Sequence, residues 1–160
     1  MLLLPLKKIL WPTDFSDCSY AALRNAVELA VQFDAELFLL HVIPPIPKPI
    51  TAASTVGLEA AYEPYIAEYE RGLHAGAEQK LREVIERNAP RGVKARPLVG
   101  RGDAAGEIAR MAEDERVGLI VMATHGMTGW RNLELGSVAE RVARLSTRPV
   151  LTIRVPSGTT

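Results

Sequence analysis

Two stretches of this 160-residue chain carry residue types that can hold a sugar and an anion. The first is Pro12-Thr13-Asp14, which interrupts the apolar run Ile9-Leu10-Trp11. The second, MATHGMTGWRNLELGSVAERV at 122–142, begins where Leu119-Ile120-Val121-Met122 stops and sets Gly126, Gly129 and Gly136-Ser137 ahead of a helix. A helix N-terminus offers free backbone N–H groups and the positive end of its dipole, so an anion is favoured there. Ser137 adds a hydroxyl. An ionised carboxylate only accepts hydrogen bonds, which suits Asp14 to the hydroxyls of a ribose. The parts together suit a nucleotide, with ribose at Asp14 and phosphates along the glycines. Two plainer readings stand beside this one: a strand-to-helix glycine loop can serve turn geometry alone, and Asp14 can brace its own loop.

These residues need a frame to bring them together. Ile9-Leu10-Trp11 reads as a short buried strand, and Ser16 or Asp17 can cap the helix after it. Leu23, Ala26, Val27 and Ala30 recur as one apolar stripe of that helix, which ends at Asp34, a residue that tolerates the left-handed region. Residues 37–43 are apolar without alternation, as in a strand covered on both faces. A Pro-rich, small-residue segment follows at about 44–57, expected to be extended and mobile. A long helical region then runs to about Asn88, with Pro64 expected to break or kink its early part. Val93 to Val99 reads as a third strand, Ile108, Met111 and Ala112 mark a third helix, and Leu119 to Met122 form a fourth strand. Val138, Val142 and Leu145 mark a fourth helix, and Pro149 to Val155 a last strand. Apolar strands alternating with helices predict an α/β fold, a single doubly wound open sheet of five parallel strands with helices on both faces. Such sheets bind ligands outside the carboxyl ends of the strands, where the strand order reverses. If the first and fourth strands flank that point, the Asp14 loop and the glycine loop meet there.

Composition narrows the class. One domain over 1–160 is the simplest reading of this length. Lys plus Arg and Asp plus Glu each number 19, so no net field draws the chain to nucleic acid or anionic lipid. The single cysteine, Cys18, excludes an internal disulfide and fits a reducing, cytoplasmic compartment. Met1-Leu2-Leu3-Leu4-Pro5 is too short for a signal sequence, with its charges on the wrong side. No segment is expected to span a membrane.

The stretches KKILWPTDFSDCSYAALRNAVELA, AELFLLHVI, GLIVMATHGMTG and LGSVAERVARLSTRPVLTIR, in that order over almost the whole chain, resemble the universal stress proteins. The ATP-binding branch of that family has a loop of Gly, two residues, Gly, nine residues, then Gly-Ser/Thr. Gly126 and Gly136-Ser137 match it, while Ala123 stands at the first glycine. Gly118 is a second departure, where many relatives carry Asp, and is read as structural. The resemblance implies ATP as ligand, with Mg2+ carried by its phosphates. It implies that Pro12, Thr13 and Asp14 contact adenine and ribose, that the Val42 backbone meets the adenine edge, and that Met122, Ala123, His125 and Gly126 pass close to ribose and phosphates. Gly136, Ser137 and Val138 then hold the phosphates. The expected strand order is 3-2-1-4-5. At Ala123 alanine is acceptable if the backbone is extended, since only positive φ demands glycine.

Other readings fall away or stay secondary. Gly100-Arg101-Gly102-Asp103-Ala104-Ala105-Gly106 only loosely resembles a dinucleotide fingerprint: its spacing is one residue too long and no acid ends the next strand. A Walker-type loop is absent from the sequence. His125 is read as loop packing or a ligand contact, His41 as a satisfied core histidine, His74 as exposed, and the three lack metal-ligand spacing. Cys18 is read as packing. Three functions compete: a stress-responsive ATP-binding module, a weak ATPase or phosphoryl-transfer enzyme, and a stress protein acting only through protein contacts. Dedicated catalysis is poorly provisioned, because Glu134 is the only acid in the loop and Asp14 belongs to the ribose end. The third strand guards its edge with Lys94, Arg96 and Pro97, whereas the fifth, Val150 to Val155, lacks protection until Arg154. A homodimer through antiparallel fifth strands follows, as it also does in the family.

Overall fold

The computed structural model describes residues 5–46, 59–124 and 136–154, with backbone alone at 59–62. His125, Gly126, Gly129, Glu134, Val155 and the stretch 47–57 lie outside the described residues. The described chain runs β1 (Lys8–Pro12), α1 (Asp17–Phe33), β2 (Glu36–Ile43), α2 (Glu59–Asn88), β3 (Ala95–Arg101), α3 (Ala104–Asp114), β4 (Leu119–Ala123), α4 (Ser137–Leu145) and β5 (Val150–Ile153). All strand pairings are parallel and the order is β3-β2-β1-β4-β5, as expected.

The unbroken apolar character of the strands has a simple cause: their two faces meet different helices. Ile9, Trp11, Leu37, Leu39 and Val121 pack with Ala22, Leu23, Ala26 and Ala30 of α1 and with Leu81 and Val84 of α2. Leu10, Phe38, Leu40, Ile120 and Met122 pack with Ile108 and Ala112 of α3 and with Ala139 and Val142 of α4. The period of 2 is therefore present, but both phases are buried. Each fully buried Leu, Ile or Phe contributes about 1.5–3 kcal/mol of transfer free energy.

Local signals act as the residue types dictate. Ser16 caps α1, its hydroxyl accepting the Ser19 N–H at 3.2 Å, and Asp34 closes α1 in the left-handed region at φ 48°. Gly118 is explained by packing: a Cβ there would stand 2.7 Å from Cδ1 of Leu6, which is buried.

Two expectations change. Pro64 does not break the long helix, since α2 runs continuously from Glu59 to Asn88. Near the helix start, proline forfeits one backbone bond while the turns on either side persist. The third strand lies two residues later than its apolar pattern implied, because pairing with β2 sets it: Leu37 stands opposite Ala95 and Ile43 opposite Arg101. Lys94 precedes that strand, yet its carbonyl still accepts the Leu37 N–H at 2.8 Å.

Candidate functional site

The chain reverses its direction of build-up between β1 and β4, and a cleft of about 320 Å³ opens at the carboxyl ends of those strands. This volume is at the lower end of the range for small-molecule sites. Its walls bring together Pro12, Thr13, Asp14, Val42, Met122, Ala123, Gly136, Ser137 and Val138. Every described residue expected at the site therefore reaches one cleft.

The Asp14 loop is rigidly held. The Thr13 N–H continues the β1–β2 ladder to the Leu40 carbonyl at 2.8 Å. The Ser19 hydroxyl donates to the Ser16 carbonyl at 2.8 Å, so the Thr13 hydroxyl supplies the proton in its own 2.8 Å bond to Ser19. Thr13 Oγ1 in turn accepts the Phe15 N–H at 2.9 Å. Phe15 has φ 63°, an unusual conformation for a bulky residue and one that the surroundings must enforce. Its ring lies 4.6 Å from that of His41, with the Lys80 ammonium 4.1 Å from its centroid. Asp14 is half-buried, and its Oδ1 accepts the Ser16 N–H at 3.0 Å. The loop-bracing role is thus present, on a carboxylate that also lines the cleft.

Val42 is placed by strand alternation. Glu36 and Leu40 direct their backbone groups towards β1, to Lys7 at 2.9 Å and Thr13 at 2.8 Å, whereas Leu37 and Ile43 face the other way, to Lys94 and Gly102. Val42 belongs to the first set. Its N–H and C=O point to the β1 side beyond the last rung, where the chain has turned off into the Asp14 loop.

On the opposite wall, Gly136 is the N-cap of α4 with φ −61° and ψ 152°, and no side chain among the described residues caps the helix. Its N–H binds the Thr124 carbonyl at 2.8 Å, and the first helical bond runs from the Glu140 N–H to the Gly136 carbonyl. The N–H groups of Ser137, Val138 and Ala139 precede that bond and lie at the positive end of the helix dipole. Among the described residues, no group of three or more His, Cys, Asp and Glu side chains is placed to hold a metal ion. No described helix is long and apolar enough to cross a membrane.

Comparison with known proteins decides the lineage. The sequence profile of the Universal stress protein family matches residues 5–154. The chain belongs to the universal stress protein family. Universal stress protein MJ0531 of Methanocaldococcus jannaschii is 38% identical over 152 residues, 94% of this chain and 83% of that protein. The solved structure of MJ0577, from the same organism, superposes with a TM-score of 0.78 at 31% identity, covering 97% of this chain and 100% of that one. Two more distant structures share the fold: a universal stress protein in complex with cAMP (23% identity, TM-score 0.58, covering 93% and 97% of the two chains) and one from Arabidopsis thaliana with AMP bound (17%, 0.56, 94% and 93%).

Within this universal stress protein, Ala123 is the last residue of β4, opposite Ile153, and is not among the residues with positive φ. Alanine therefore adds only a methyl group at the cleft wall. Sequence did not point to several other residues of the cleft wall, among them Ser19, His41, Ala104 and Ile108. Ser19 lines the cleft from the first turn of α1, and its place behind a serine cap was the available signal. Ala104 and Ile108 bring the start of α3 to the same wall. His41 corrects its expectation as a core residue: it is half-buried and faces the cleft, with Nδ1–H donating to the Thr13 carbonyl at 2.9 Å. An apolar run gave no hint of that wall position. His74 is exposed and Cys18 packs partly buried against the core, as read.

Proposed function

We propose that this universal stress protein is a binding module for adenine nucleotides of the ATP-binding branch, acting in the cytoplasm as a stress-responsive signalling component. The observation that carries the reading is the cleft itself. A helix N-terminus with glycine at its mouth, capped by no side chain among the described residues, faces the Asp14 carboxylate and the Val42 backbone edge across about 320 Å³. The Val42 edge offers one donor and one acceptor, which suits the adenine edge, with Pro12 and Thr13 beside it. Asp14 accepts the ribose hydroxyls, Met122 and Ala123 pass beneath the sugar, and Gly136, Ser137 and Val138 receive the phosphates. His125 and Gly126 follow Thr124 in sequence and complete the proposed contact set. Mg2+ arrives with the phosphates of ATP rather than on a protein cage. The cAMP and AMP complexes of the same fold support an adenine nucleotide as ligand.

A homodimer is the second part of the proposal. β5 is a sheet edge, and its Leu151 is 38% exposed. An apolar edge of this kind favours pairing with its own copy about a two-fold axis.

Gly136→Val tests the ligand reading. Its backbone angles are open to any residue, so valine puts an isopropyl group where phosphate must approach while the fold stays intact. Calorimetric titration should show ATP binding by the wild type and none by the variant, with both melting cooperatively. Equal affinities in the two proteins would remove the helix N-terminus from the site.

A further inference from the structure

The α3 and α4 helices begin side by side at the cleft, and an ion pair ties the N-cap of α3 to the second turn of α4. Asp103 is the N-cap of α3, with Oδ2 accepting the Gly106 N–H at 3.0 Å. The same carboxylate receives Arg141 of α4 in a two-pronged contact, Nη1 to Oδ1 at 2.7 Å and Nη2 to Oδ2 at 2.8 Å. Arg141 lies one turn after Ser137, so both occupy one face of α4. Long helical side chains lean towards the N-terminus, which brings the guanidinium back to the level of the first turn. We propose that Arg141 is a specificity residue that grades nucleotides by their number of phosphates, with Asp103 holding it in place and weakening its pull. This rests on the adenine-nucleotide reading of the cleft.

Stability alone does not account for the pair. Both side chains are 53% exposed, and exposed ion pairs contribute little to folding. The two helices already pack through Ile108, Ala112, Ala139 and Val142. Electrostatics gives the pair a different use. Both helix dipoles aim their positive ends at the cleft, where Asp103 offsets the α3 end and Arg141 offsets Asp103. The arginine hydrogen bonds, then the Gly106 N–H, hold the Asp103 carboxyl below its ordinary range, so it stays charged at neutral pH. Nearby charges have partners of their own: Glu140 pairs with Arg144 at 2.7 Å and Glu107 with Arg110 at 2.8 Å. A guanidinium fork fits phosphate oxygens as well as it fits a carboxylate. Each added phosphate brings charge closer to Arg141, whereas adenosine brings none.

The test is a calorimetric comparison of adenosine, AMP and ATP on the wild type, R141Q, R141K and D103N. Asparagine caps a helix as well as aspartate does, so D103N keeps α3 capped while it removes the charge and turns an amide donor towards Arg141, which frees the guanidinium. Arg141→Gln should weaken ATP about tenfold and AMP less, leaving adenosine within about twofold. Arg141→Lys should recover most of the ATP loss. Asp103→Asn should tighten ATP about threefold with adenosine unchanged, and these differences should shrink at about 0.5 M salt. Equal factors for ATP and adenosine in R141Q, or weaker ATP binding in D103N, would overturn the proposal while leaving the nucleotide reading standing. A wild type that binds neither ATP nor adenosine would overturn both.

Discussion

Asp14 has a local role and a proposed ligand role of different worth, and two variants separate them. The first is local: Oδ1 accepts the Ser16 N–H at 3.0 Å and so fixes the residue that caps α1. A hydrogen bond of this type contributes about 0.5–1.5 kcal/mol net. In a domain of this size that corresponds to roughly 2–4 °C of melting temperature per kcal/mol. The second is the proposed ribose contact, in which a carboxylate accepts neutral hydroxyls, worth about 1.5–3 kcal/mol. That range is about 12- to 160-fold in Kd. Asp14→Ala should therefore melt a few degrees early and lose ATP affinity by that factor. Asp14→Asn keeps an oxygen for the Ser16 N–H but turns a donor, without charge, towards the ligand. It should melt near the wild type and still lose most of the affinity. Thermal melts and ATP titration calorimetry on both variants give the answer. If both bind ATP as tightly as the wild type, Asp14 is a loop brace only and the ribose assignment fails.

Ala123→Gly should tighten ATP binding by less than about threefold, since it removes one methyl from a strand residue without backbone strain; a large gain, or binding restored to an otherwise inert protein, would show that alanine blocks the site. Thr152→Pro should convert a dimer to a monomer in light scattering. The carbonyls of Pro149 and Ile153 face β4, bonding Ile120 and Thr124 at 2.9 and 3.0 Å, so Thr152 directs its N–H to the open edge and proline removes only that outward donor. A monomeric wild type would refute the dimer. Acid should destabilise the fold in part through Glu113, whose carboxyl is held low by hydrogen bonds from Thr147 and Arg148. Its folded pKa lies below the unfolded one, so its contribution is full above the ordinary carboxylate range and fades as pH falls through the lowered value. Glu113→Gln should flatten that part of the melting-temperature profile; an unchanged acid limb would exclude Glu113 from it.

The alternation of strands and helices and both helix layers were legible because apolar runs and caps act locally: Ser16, Asp34 and the stripe through Leu23 and Ala30 each do what their residue types dictate, whereas the strand order came with the family resemblance. That the Asp14 loop and the start of α4 meet at one cleft was legible from the parallel sheet, which brings the ends of β1 and β4 together, while Val42 on β2 was named through the family resemblance. What sequence could not supply depends on distant pairing. β3 slides two residues because β2 sets its register, and His41 turns to the cleft because Thr13 and Phe15 meet it there. Asp103 and Arg141 stand 38 positions apart, and only the adjacent starts of α3 and α4 make them partners. Pro64 does not break α2 because the cost of a proline depends on how near it lies to the helix start, and that start is not marked in the sequence.

The central claim is that the cleft between the Asp14 loop and the α4 N-terminus holds an adenine nucleotide. Acid extraction of the freshly purified wild-type protein, with chromatography and absorbance of the extract, tests it most directly. The account predicts an adenine nucleotide approaching one per chain, and extraction of Gly136→Val prepared in parallel should yield none. An extract free of adenine from wild-type protein that also fails to take up added ATP would contradict it.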